Sequence, residues 1–185
     1  MILKEKILFS KEECESILKN VEKWNDTIIS VRLVRQLTDK RGGVMKSFKI
    51  KWNDNNSWIK NKIINWVNSL DEVFYKINHD KNLNANYRKY VKGDYFIKHN
   101  DHIHNGDRRL YTIGVMLHKS ENLTGGDLKM YVNDDIINID FNLGKVYIFD
   151  SNTPHSVDLI ELGERITLMF FIVESDIIKN IRHII

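Results

Sequence analysis

The feature that most constrains the fold is a series of short strands in the second half of the chain. From about residue 86 onward, apolar and polar residues alternate in runs that glycines such as Gly93, Gly125 and Gly163 separate. Many short strands at near-regular spacing are typical of a β-sandwich or barrel. The predicted strands are Tyr87–Val91, Tyr95–His99, Leu110–His118, Asp127–Val132, Ile136–Ile139, Lys145–Phe149, Ser156–Ile160 and Arg165–Val173.

Two helices are predicted before these strands. Ser10 to Glu13 read as a capping box that opens a helix ending near Trp24, and Ser57 could cap a second helix that runs to Ile77 on an apolar stripe at three- and four-residue spacing. Such helices would cover one sheet from outside. The expected fold class is mainly β with flanking helices (α+β).

Between the helices, the alternating runs Thr27–Leu37 and Val44–Trp52 predict a hairpin. Its connection, Asp39–Val44, contains two glycines and two basic residues. Glycines of this kind suit a mobile lid over a site, but they suit a solvated turn equally well.

Composition favours one domain in a reducing compartment. The 185 residues, 42% of them hydrophobic, suffice for a single core over residues 1–185, with helical support over about 1–80 and a β core over about 85–173. The single cysteine, Cys14, can form no internal disulfide, so we expect a cytoplasmic protein. No stretch has the length of a membrane span. Basic and acidic residues are mixed along the chain, so nucleic acid is not an expected partner.

Three residues are candidate metal ligands. His99 and Asp101 are two positions apart at the end of a predicted strand, so both side chains can point to one side. His155 follows the only proline, Pro154, and can complete the set if its strand faces theirs. Two imidazoles and one carboxylate leave other positions of an ion open and suit non-haem Fe(II). An isolated His-x-Asp is otherwise a solvated turn.

A basic residue stands at the beginning of the last apolar strand. Arg165 stands ten residues after His155 and begins the run Arg165–Val173. Its guanidinium either extends to solvent or binds an anion, and a carboxylate is a good partner because two parallel hydrogen bonds can form. Thr167 lies on the same face and could add a hydroxyl.

The chain resembles the Fe(II)/2-oxoglutarate-dependent dioxygenases, in particular the prolyl 4-hydroxylase-like branch. Order and spacing of motifs agree across about residues 85–173, and the segment Phe9–Cys14 is similar to the first helix of that branch. The motifs that carry the resemblance are Tyr90–Asp101, Arg109–Thr112, Gly125–Leu128, Leu143–Phe149 leading to His155, and Gly163–Arg165.

The resemblance implies a fold, a site and a reaction. The fold would be a double-stranded β-helix, or cupin-like jelly roll, and the enzyme would couple oxidative decarboxylation of 2-oxoglutarate by O₂ to hydroxylation of an aliphatic C–H bond, with ascorbate as an optional reductant. No catalytic residue is expected beyond the metal ligands. The implied Fe(II) ligands are His99, Asp101 and His155, and the implied 2-oxoglutarate-binding residues are Arg165, Tyr90 and Thr167.

The sequence departs from the family at one position of the cosubstrate site. Many prolyl hydroxylases carry a tyrosine where the alignment places Met116. A hydrogen bond to the cosubstrate is therefore missing or is made by another group, for which the candidates are Tyr90, Tyr147 and Thr167.

The substrate is the least determined part. By resemblance it would be a prolyl residue in a peptide or protein, with a free amino acid or another small molecule as the alternative. Two further alternatives are a cupin-like metal site that uses His102 and His104, and a non-catalytic jelly roll that only binds. A nucleic-acid demethylase is disfavoured because the second arginine of that class is replaced by Phe171.

Overall fold

The computed structural model describes residues 2–24, 30–31, 43–44, 46–70, 77, 83–104 and 107–174. Within these ranges lie two α-helices, α1 (Lys11–Asn20) and α2 (Ser57–Asn68), and a 3₁₀ turn (Val21–Trp24). The strands are β1 (Ile2–Ile7), β2 (Ser30–Val31), β3 (Gly43–Val44), β4 (Lys46–Lys49), β5 (Asn84–Val91), β6 (Tyr95–His99), β7 (Ile103–His104), β8 (Asp107–Lys119), β9 (Thr124–Gly125), β10 (Leu128–Val132), β11 (Asp135–Ile139), β12 (Lys145–Asp150), β13 (His155–Val157), β14 (Ile160–Leu162) and β15 (Glu164–Val173).

These strands form two main antiparallel sheets. The large sheet has the order β1-β12-β8-β15-β5-β4-β2, and β7 also pairs with β8. The small sheet has the order β11-β10-β13-β6-β3, and β9 pairs with β14 separately. Neighbours in both sheets come from distant parts of the chain, as in a jelly roll. The α+β class and the double-stranded β-helix predicted from the sequence are confirmed.

Helix α1 begins where the sequence predicts. The Ser10 side chain accepts a hydrogen bond from the Glu13 backbone N–H, and the Glu13 carboxylate accepts one from the Ser10 N–H, which completes the capping box. Cys14 and Ile17 are buried against the large sheet. The α-helical hydrogen bonding ends at Asn20, and the 3₁₀ turn carries the chain on to Trp24.

Helix α2 is shorter than predicted. Asn56 is its N-cap instead of Ser57, and the helix ends at Asn68. The Asn68 side chain donates to the Ile77 carbonyl and accepts from the Ile77 N–H, so Ile77 is held beside the end of the helix and not on a further turn of it. Ile77 is buried nonetheless. The apolar stripe predicted burial correctly but helix length incorrectly. The rest of the predicted extension, residues 71–76, lies outside the described residues.

The predicted hairpin is only partly of the expected form. Strands β2 and β4 pair antiparallel, which agrees with it. The run Val44–Trp52 is not one strand, however, because β3 pairs with β6 in the small sheet while β4 pairs with β5 in the large one. Residues 39–42 of the possible lid lie outside the described residues.

Two other strand predictions need correction. The segment Ser156–Ile160 is divided between β13 and β14, because the Asp158 N–H bonds to the Asp127 carbonyl and the Ile160 N–H to the Asp94 carbonyl. Strand β1 was not predicted; alternating charges obscured it, and it pairs with β12 at an edge of the large sheet.

The large sheet separates two cores. On its outer face, the helices and the sheet enclose an apolar cluster that contains Trp66 and packs against Trp24, Trp52 and Trp58. On its inner face, a second cluster fills the space between the two sheets. Neither helix of the described residues has the length and apolar character that crossing a bilayer requires.

Candidate metal and cosubstrate site

Three side chains meet at one end of the space between the sheets. His99 ends β6 and His155 begins β13, and the two residues are direct cross-strand partners. Asp101 follows two residues after His99. One ligand atom from each of the three lies within 4.8 Å of the others. The structure therefore brings together the three residues that the sequence analysis singled out, and they could hold a metal ion.

Both imidazoles are oriented by backbone carbonyls. His99 Nδ1 lies 2.7 Å from the Ile97 carbonyl, and His155 Nδ1 lies 3.0 Å from the Thr153 carbonyl. Donation from Nδ1–H to these oxygens leaves the Nε2 lone pairs free for an ion. Burial, together with the nearby His155, lowers the pKa of His99 to about 3, so this ring is neutral and suited to metal binding.

The turn before His155 supplies one of these carbonyls. The Thr153 N–H donates to the Asp150 carbonyl at 2.8 Å, which closes the turn after β12. Pro154 follows with a trans peptide bond, and its carbonyl accepts from the Tyr131 N–H at 2.9 Å. The fixed φ of proline restricts the backbone between the closed turn and β13. This restriction helps to position His155 at the start of that strand.

Asp101 is the most heavily contacted member of the cluster. Its Oδ2 lies 3.4 Å from His155 Nε2 and accepts a hydrogen bond of 3.1 Å from the Thr112 hydroxyl. Its Oδ1 lies 3.8 Å from both His99 Nε2 and Arg109 Nη1. Burial opposes ionisation of Asp101, but the contact with His155 and the nearby charge of Arg88 hold the pKa of Asp101 well below its usual range. The carboxylate is therefore ionised and fixed in position.

Arg165 carries a positive charge into the same interior. Its side chain is only 3% exposed, and its Nη1 donates to the Gly126 carbonyl. The guanidinium carbon lies 5.2 Å from the Tyr90 ring centre and 4.8 Å from that of Phe141. Its Nε has no hydrogen-bond partner, and the ion pairs found among the described residues include none to Arg165. A buried cation without an anion is costly, so the arrangement favours binding of one.

Gly126 is needed where it stands. Its φ is +74°, and a Cβ there would lie 2.2 Å from Ile160 Cδ1. Residues other than glycine rarely adopt this positive φ, so glycine allows the backbone conformation that presents its carbonyl to Arg165.

Two further predicted residues lie beside Arg165 on the inner face of the large sheet. Tyr90 pairs directly with Arg165 across β5 and β15, and Thr167 is the next inward residue of β15. Tyr90 is 1% exposed and Thr167 fully buried. The Thr167 hydroxyl has no hydrogen-bond partner. Buried polar atoms usually have partners, so two orphaned groups side by side favour the binding of a polar ligand.

Tyr147 is one of the three candidates for the hydroxyl contact that the sequence lacks at Met116. Its hydroxyl donates only to the Met169 sulfur, at 3.7 Å, which is a weak acceptor. Burial raises the pKa of Tyr147, so the phenol remains protonated. A Cβ on Gly114 would lie 2.0 Å from the phenol ring, so this glycine leaves room for the tyrosine. Met116, fully buried, offers no such donor.

Two of the candidate ligands, His99 and His155, line one narrow cavity together with the candidate cosubstrate residues. Its walls come from both sheets and consist of Arg88, Tyr90, Phe96, His99, Leu128, Tyr147, Phe149, His155, Val157, Arg165, Thr167 and Met169. A larger cavity of about 240 Å³ lies on the other side of Arg165, toward Met116 and Phe141, and does not reach the metal-ligand cluster. Arg165 thus borders both cavities.

The sequence analysis assigned no role to three residues near this cavity. Thr112 and Arg109 contact Asp101, and Arg88 lines the cavity wall. Arg88 stands two residues before Tyr90, so strand periodicity alone could have placed it on the inner face. His102 is not part of the three-residue cluster, and its Nδ1 is buried without a partner. The side chain of His104 lies outside the described residues.

Comparison with known families gives one match. The family described as the 2OG-Fe(II) oxygenase superfamily matches residues 85–173. This range contains all the residues that form the narrow cavity. None of the curated proteins matches the chain by sequence.

Solved structures with the same fold include several prolyl hydroxylases. A prolyl-4-hydroxylase of Pseudomonas putida is 13% identical with a TM-score of 0.64, and covers 91% of this chain and 90% of its own. The viral collagen prolyl hydroxylase of Paramecium Bursaria Chlorella virus-1 is 19% identical with a TM-score of 0.63, covering 92% and 94%. A Trichoplax adhaerens prolyl hydroxylase is 18% identical with a TM-score of 0.66, covering 95% and 84%. At these identities the likeness shows the fold.

Proposed function

Since residues 85–173 place this chain in the 2OG-Fe(II) oxygenase superfamily, we propose that it is an Fe(II)- and 2-oxoglutarate-dependent hydroxylase of an aliphatic C–H bond. The observation that carries the proposal is that a set of candidate metal ligands and a buried arginine without an anion face the same cavity. A cluster of two imidazoles and a carboxylate lies at one end, and a buried arginine without an anion lies further inside.

His99, Asp101 and His155 are proposed to hold the ferrous ion. The residues fit such an ion because both Nδ1 atoms are engaged by carbonyls, which leaves two Nε2 atoms and one fixed carboxylate directed at each other. A bound ferrous ion supplies the redox chemistry that couples decarboxylation of the keto acid to hydroxylation. Thr112 and Arg109 keep the carboxylate in place during the reaction.

Arg165, Tyr90 and Thr167 are proposed to bind 2-oxoglutarate. The guanidinium would receive the distal carboxylate, and the orphaned Thr167 hydroxyl would donate to the same group. Tyr147 is proposed to supply the hydroxyl contact absent at Met116, since its present acceptor is a thioether. Apolar neighbours such as Phe149 and Val157 keep water away from these charges.

A prolyl residue in a peptide or protein is the proposed substrate. The support is indirect: solved structures of the same fold include prolyl hydroxylases, one of them in complex with a peptide fragment. A free amino acid or another small molecule is the second candidate, and the positive charge of the cavity wall favours it. A cytoplasmic location, and ascorbate as a reductant, remain predictions.

Succinate release tests the proposal. Purified protein supplied with Fe(II), 2-oxoglutarate and O₂ should form succinate, and the rate should rise with a substrate from a panel of prolyl peptides and free amino acids. The Asp101→Ala variant is the control for metal-independent background. If the wild-type protein bound iron but neither bound nor converted 2-oxoglutarate, the cupin-like or non-catalytic alternative would replace the proposal.

A further inference from the structure

A second arginine faces the cavity that holds the proposed metal ligands. Arg88 lies in β5 opposite Thr167 of β15, one inward position from the Tyr90–Arg165 pair. It lines the same narrow cavity as His99 and His155. Of the two arginines in that wall, Arg165 has a proposed partner, which is the distal carboxylate of 2-oxoglutarate. Arg88 is half-buried and has no assigned ligand.

The guanidinium of Arg88 extends toward Phe171. Its carbon lies 5.7 Å from the ring centre of Phe171, which is four residues beyond Thr167 in β15. The other neighbour of that ring is Arg109, whose guanidinium carbon lies 3.6 Å from the ring centre and whose Nη1 lies 3.8 Å from Asp101. Arg88 therefore reaches toward the metal-ligand end of the cavity, and its side chain also lies within hydrogen-bonding range of Tyr90.

No carboxylate of the protein neutralises Arg88 within the described ranges. The ion pairs found there include none to Arg88, and the acidic group that its charge most affects at the site, Asp101, already contacts two histidines and Arg109. The two charges of a ferrous ion would be matched by those of 2-oxoglutarate. The charge of Arg88 would then stay unbalanced by any carboxylate of the described residues, and this favours a further anion.

We propose that Arg88 binds a carboxylate of the primary substrate, so that the enzyme oxidises a carbon a few bonds from a carboxylate group. The inference rests on the proposed function and narrows its substrate class. A guanidinium suits this role because it can form two parallel hydrogen bonds to a carboxylate and so fix both distance and orientation. The carboxylate can belong to a free amino acid, or to a C-terminus or acidic side chain in a peptide.

Paired compounds that differ only in a carboxylate provide the test. The panel contains free L-amino acids and their C-terminal amides, N-acetyl-L-proline and N-acetyl-L-prolinamide, and prolyl peptides with acid or amide C-termini or with Glu or Gln beside the proline. Succinate release measures turnover, and calorimetry under anaerobic conditions, with Fe(II) and 2-oxoglutarate bound, measures binding. In the wild-type protein, acids should bind and stimulate turnover while their amides do not. Whether free acids or peptides respond identifies the source of the carboxylate.

Variants of Arg88 then assign the effect to this residue. Arg88→Gln should raise the KM and Kd of the responding acid by about 10- to 100-fold, the range expected for charge-assisted hydrogen bonds, and Arg88→Lys should lie in between. Arg108→Gln removes an equal charge from an exposed arginine that pairs with Glu174, and it should leave these constants unchanged.

Three results would overturn the inference while leaving the proposed function intact. In the first, amides stimulate the wild-type protein as well as acids do, or no acid stimulates it. In the second, Arg88→Gln keeps the preference for acids. In the third, Arg88→Gln raises only the KM for the cosubstrate, which would assign the arginine to 2-oxoglutarate binding. Absence of any 2-oxoglutarate binding or conversion by the wild-type protein would instead remove the proposed function itself.

Discussion

The two faces of strand β15 are equally buried but differ in whether their side chains find partners inside the protein. The outward residues Leu168 and Phe170 are at most 1% exposed and pack within the apolar cluster under the helices. The inward residues Arg165 and Thr167 are at most 3% exposed, yet each has a polar atom without a hydrogen bond. The outer face is complete in the folded chain, whereas the inner face requires a ligand.

The difference separates stability from function along a single strand. Substitutions on the outer face should alter the free energy of unfolding and leave ligand affinity alone, because the helices cover that face. Substitutions of polar groups on the inner face should lower ligand affinity and leave the free energy of unfolding nearly unchanged, because an unpaired buried charge adds no stability. Five predictions follow this contrast, from the largest effect to the smallest.

The largest effect is expected at Asp101. The Asp101→Ala variant should lose bound iron on gel filtration, and its succinate formation should fall by more than about 100-fold, the loss that removal of an outer contact alone can cause at a metal site. Asp158→Asn, which removes a partly exposed carboxylate paired with Lys129, is the matched control and should keep both properties. An Asp101→Ala protein that kept iron and turnover would show that the cluster is not the metal site.

On the outer face, Phe170→Ala should be the most destabilising change. The ring is fully buried and stacks on Trp52 with 6.2 Å between ring centres, so its removal should lower the free energy of unfolding by about 3–5 kcal/mol in urea titrations. The KM for the cosubstrate should not change in the protein that remains folded. Leu159→Ala, at a residue 50% exposed, should alter unfolding by no more than about 0.5 kcal/mol. A large rise in KM for Phe170→Ala would mean that the two faces are not independent.

Lowering the pH should reduce the free energy of unfolding of the metal-free protein, because His99 becomes protonated more readily in the unfolded state. Burial and the nearby His155 lower the pKa of this ring to about 3, whereas an unfolded histidine titrates near its ordinary value of 6.5. Between these values the unfolded state binds a proton that the folded state does not, so stability is lost as the pH falls, with a limiting slope of about 1.4 kcal/mol per pH unit. Urea titrations across this window should show the slope, and His99→Gln should flatten it. An unchanged slope in that variant would assign the acid sensitivity elsewhere.

Arg165→Met should lower the affinity for 2-oxoglutarate without lowering the stability of the ligand-free protein. The affinity for 2-oxoglutarate, measured by calorimetry on the metal-loaded protein, should fall by at least about tenfold, because a charge-assisted contact is lost. The free energy of unfolding of the ligand-free protein should stay the same or rise by about 1 kcal/mol, because a buried unpaired charge is replaced by an apolar side chain of similar length. Arg165→Lys keeps the charge without the planar geometry and should lie between. Lower stability with unchanged affinity would make Arg165 a structural residue.

The smallest effect is expected at the helix cap. Ser10→Ala removes the acceptor for the Glu13 N–H and should lower the free energy of unfolding by about 1 kcal/mol. Ser10→Asn keeps a capping side chain and should restore most of the loss. Neither variant should change turnover, since α1 packs on the outer face of the sheet, and a change in the KM for the cosubstrate would contradict this separation.

Local sequence patterns predicted much of the fold. Strand β6 has the predicted bounds, and the other core strands differ mostly by a few residues, because alternation and glycine positions are local properties. The end of α2 was wrong because the Asn68–Ile77 contact joins residues nine apart and holds the chain beside the helix. Strand β3 depends on a distant partner, β6, and β7 has only two residues paired with the start of β8, so alternation could not indicate either strand.

The residues of the candidate site were harder to predict from local sequence patterns than the strands were. Spacing related His99 to Asp101, but His155 was a candidate only on the condition that its strand faced theirs, since only folding makes it the cross-strand partner of His99. Arg109 and Thr112 lie in a motif that carried the resemblance, but their role could not be assigned because it depends on contact with Asp101. Arg88 could have been placed inward from its spacing to Tyr90, but its missing carboxylate partner is visible only in three dimensions.

Absorption spectroscopy without oxygen tests the central claim most directly, that the inner face holds Fe(II) and 2-oxoglutarate together. The wild-type protein should develop a weak visible charge-transfer band when both components are present and none with either alone. The band should be absent in Asp101→Ala and should require more 2-oxoglutarate in Arg165→Met. No band in the wild-type protein, or the same band in Asp101→Ala, would contradict the account.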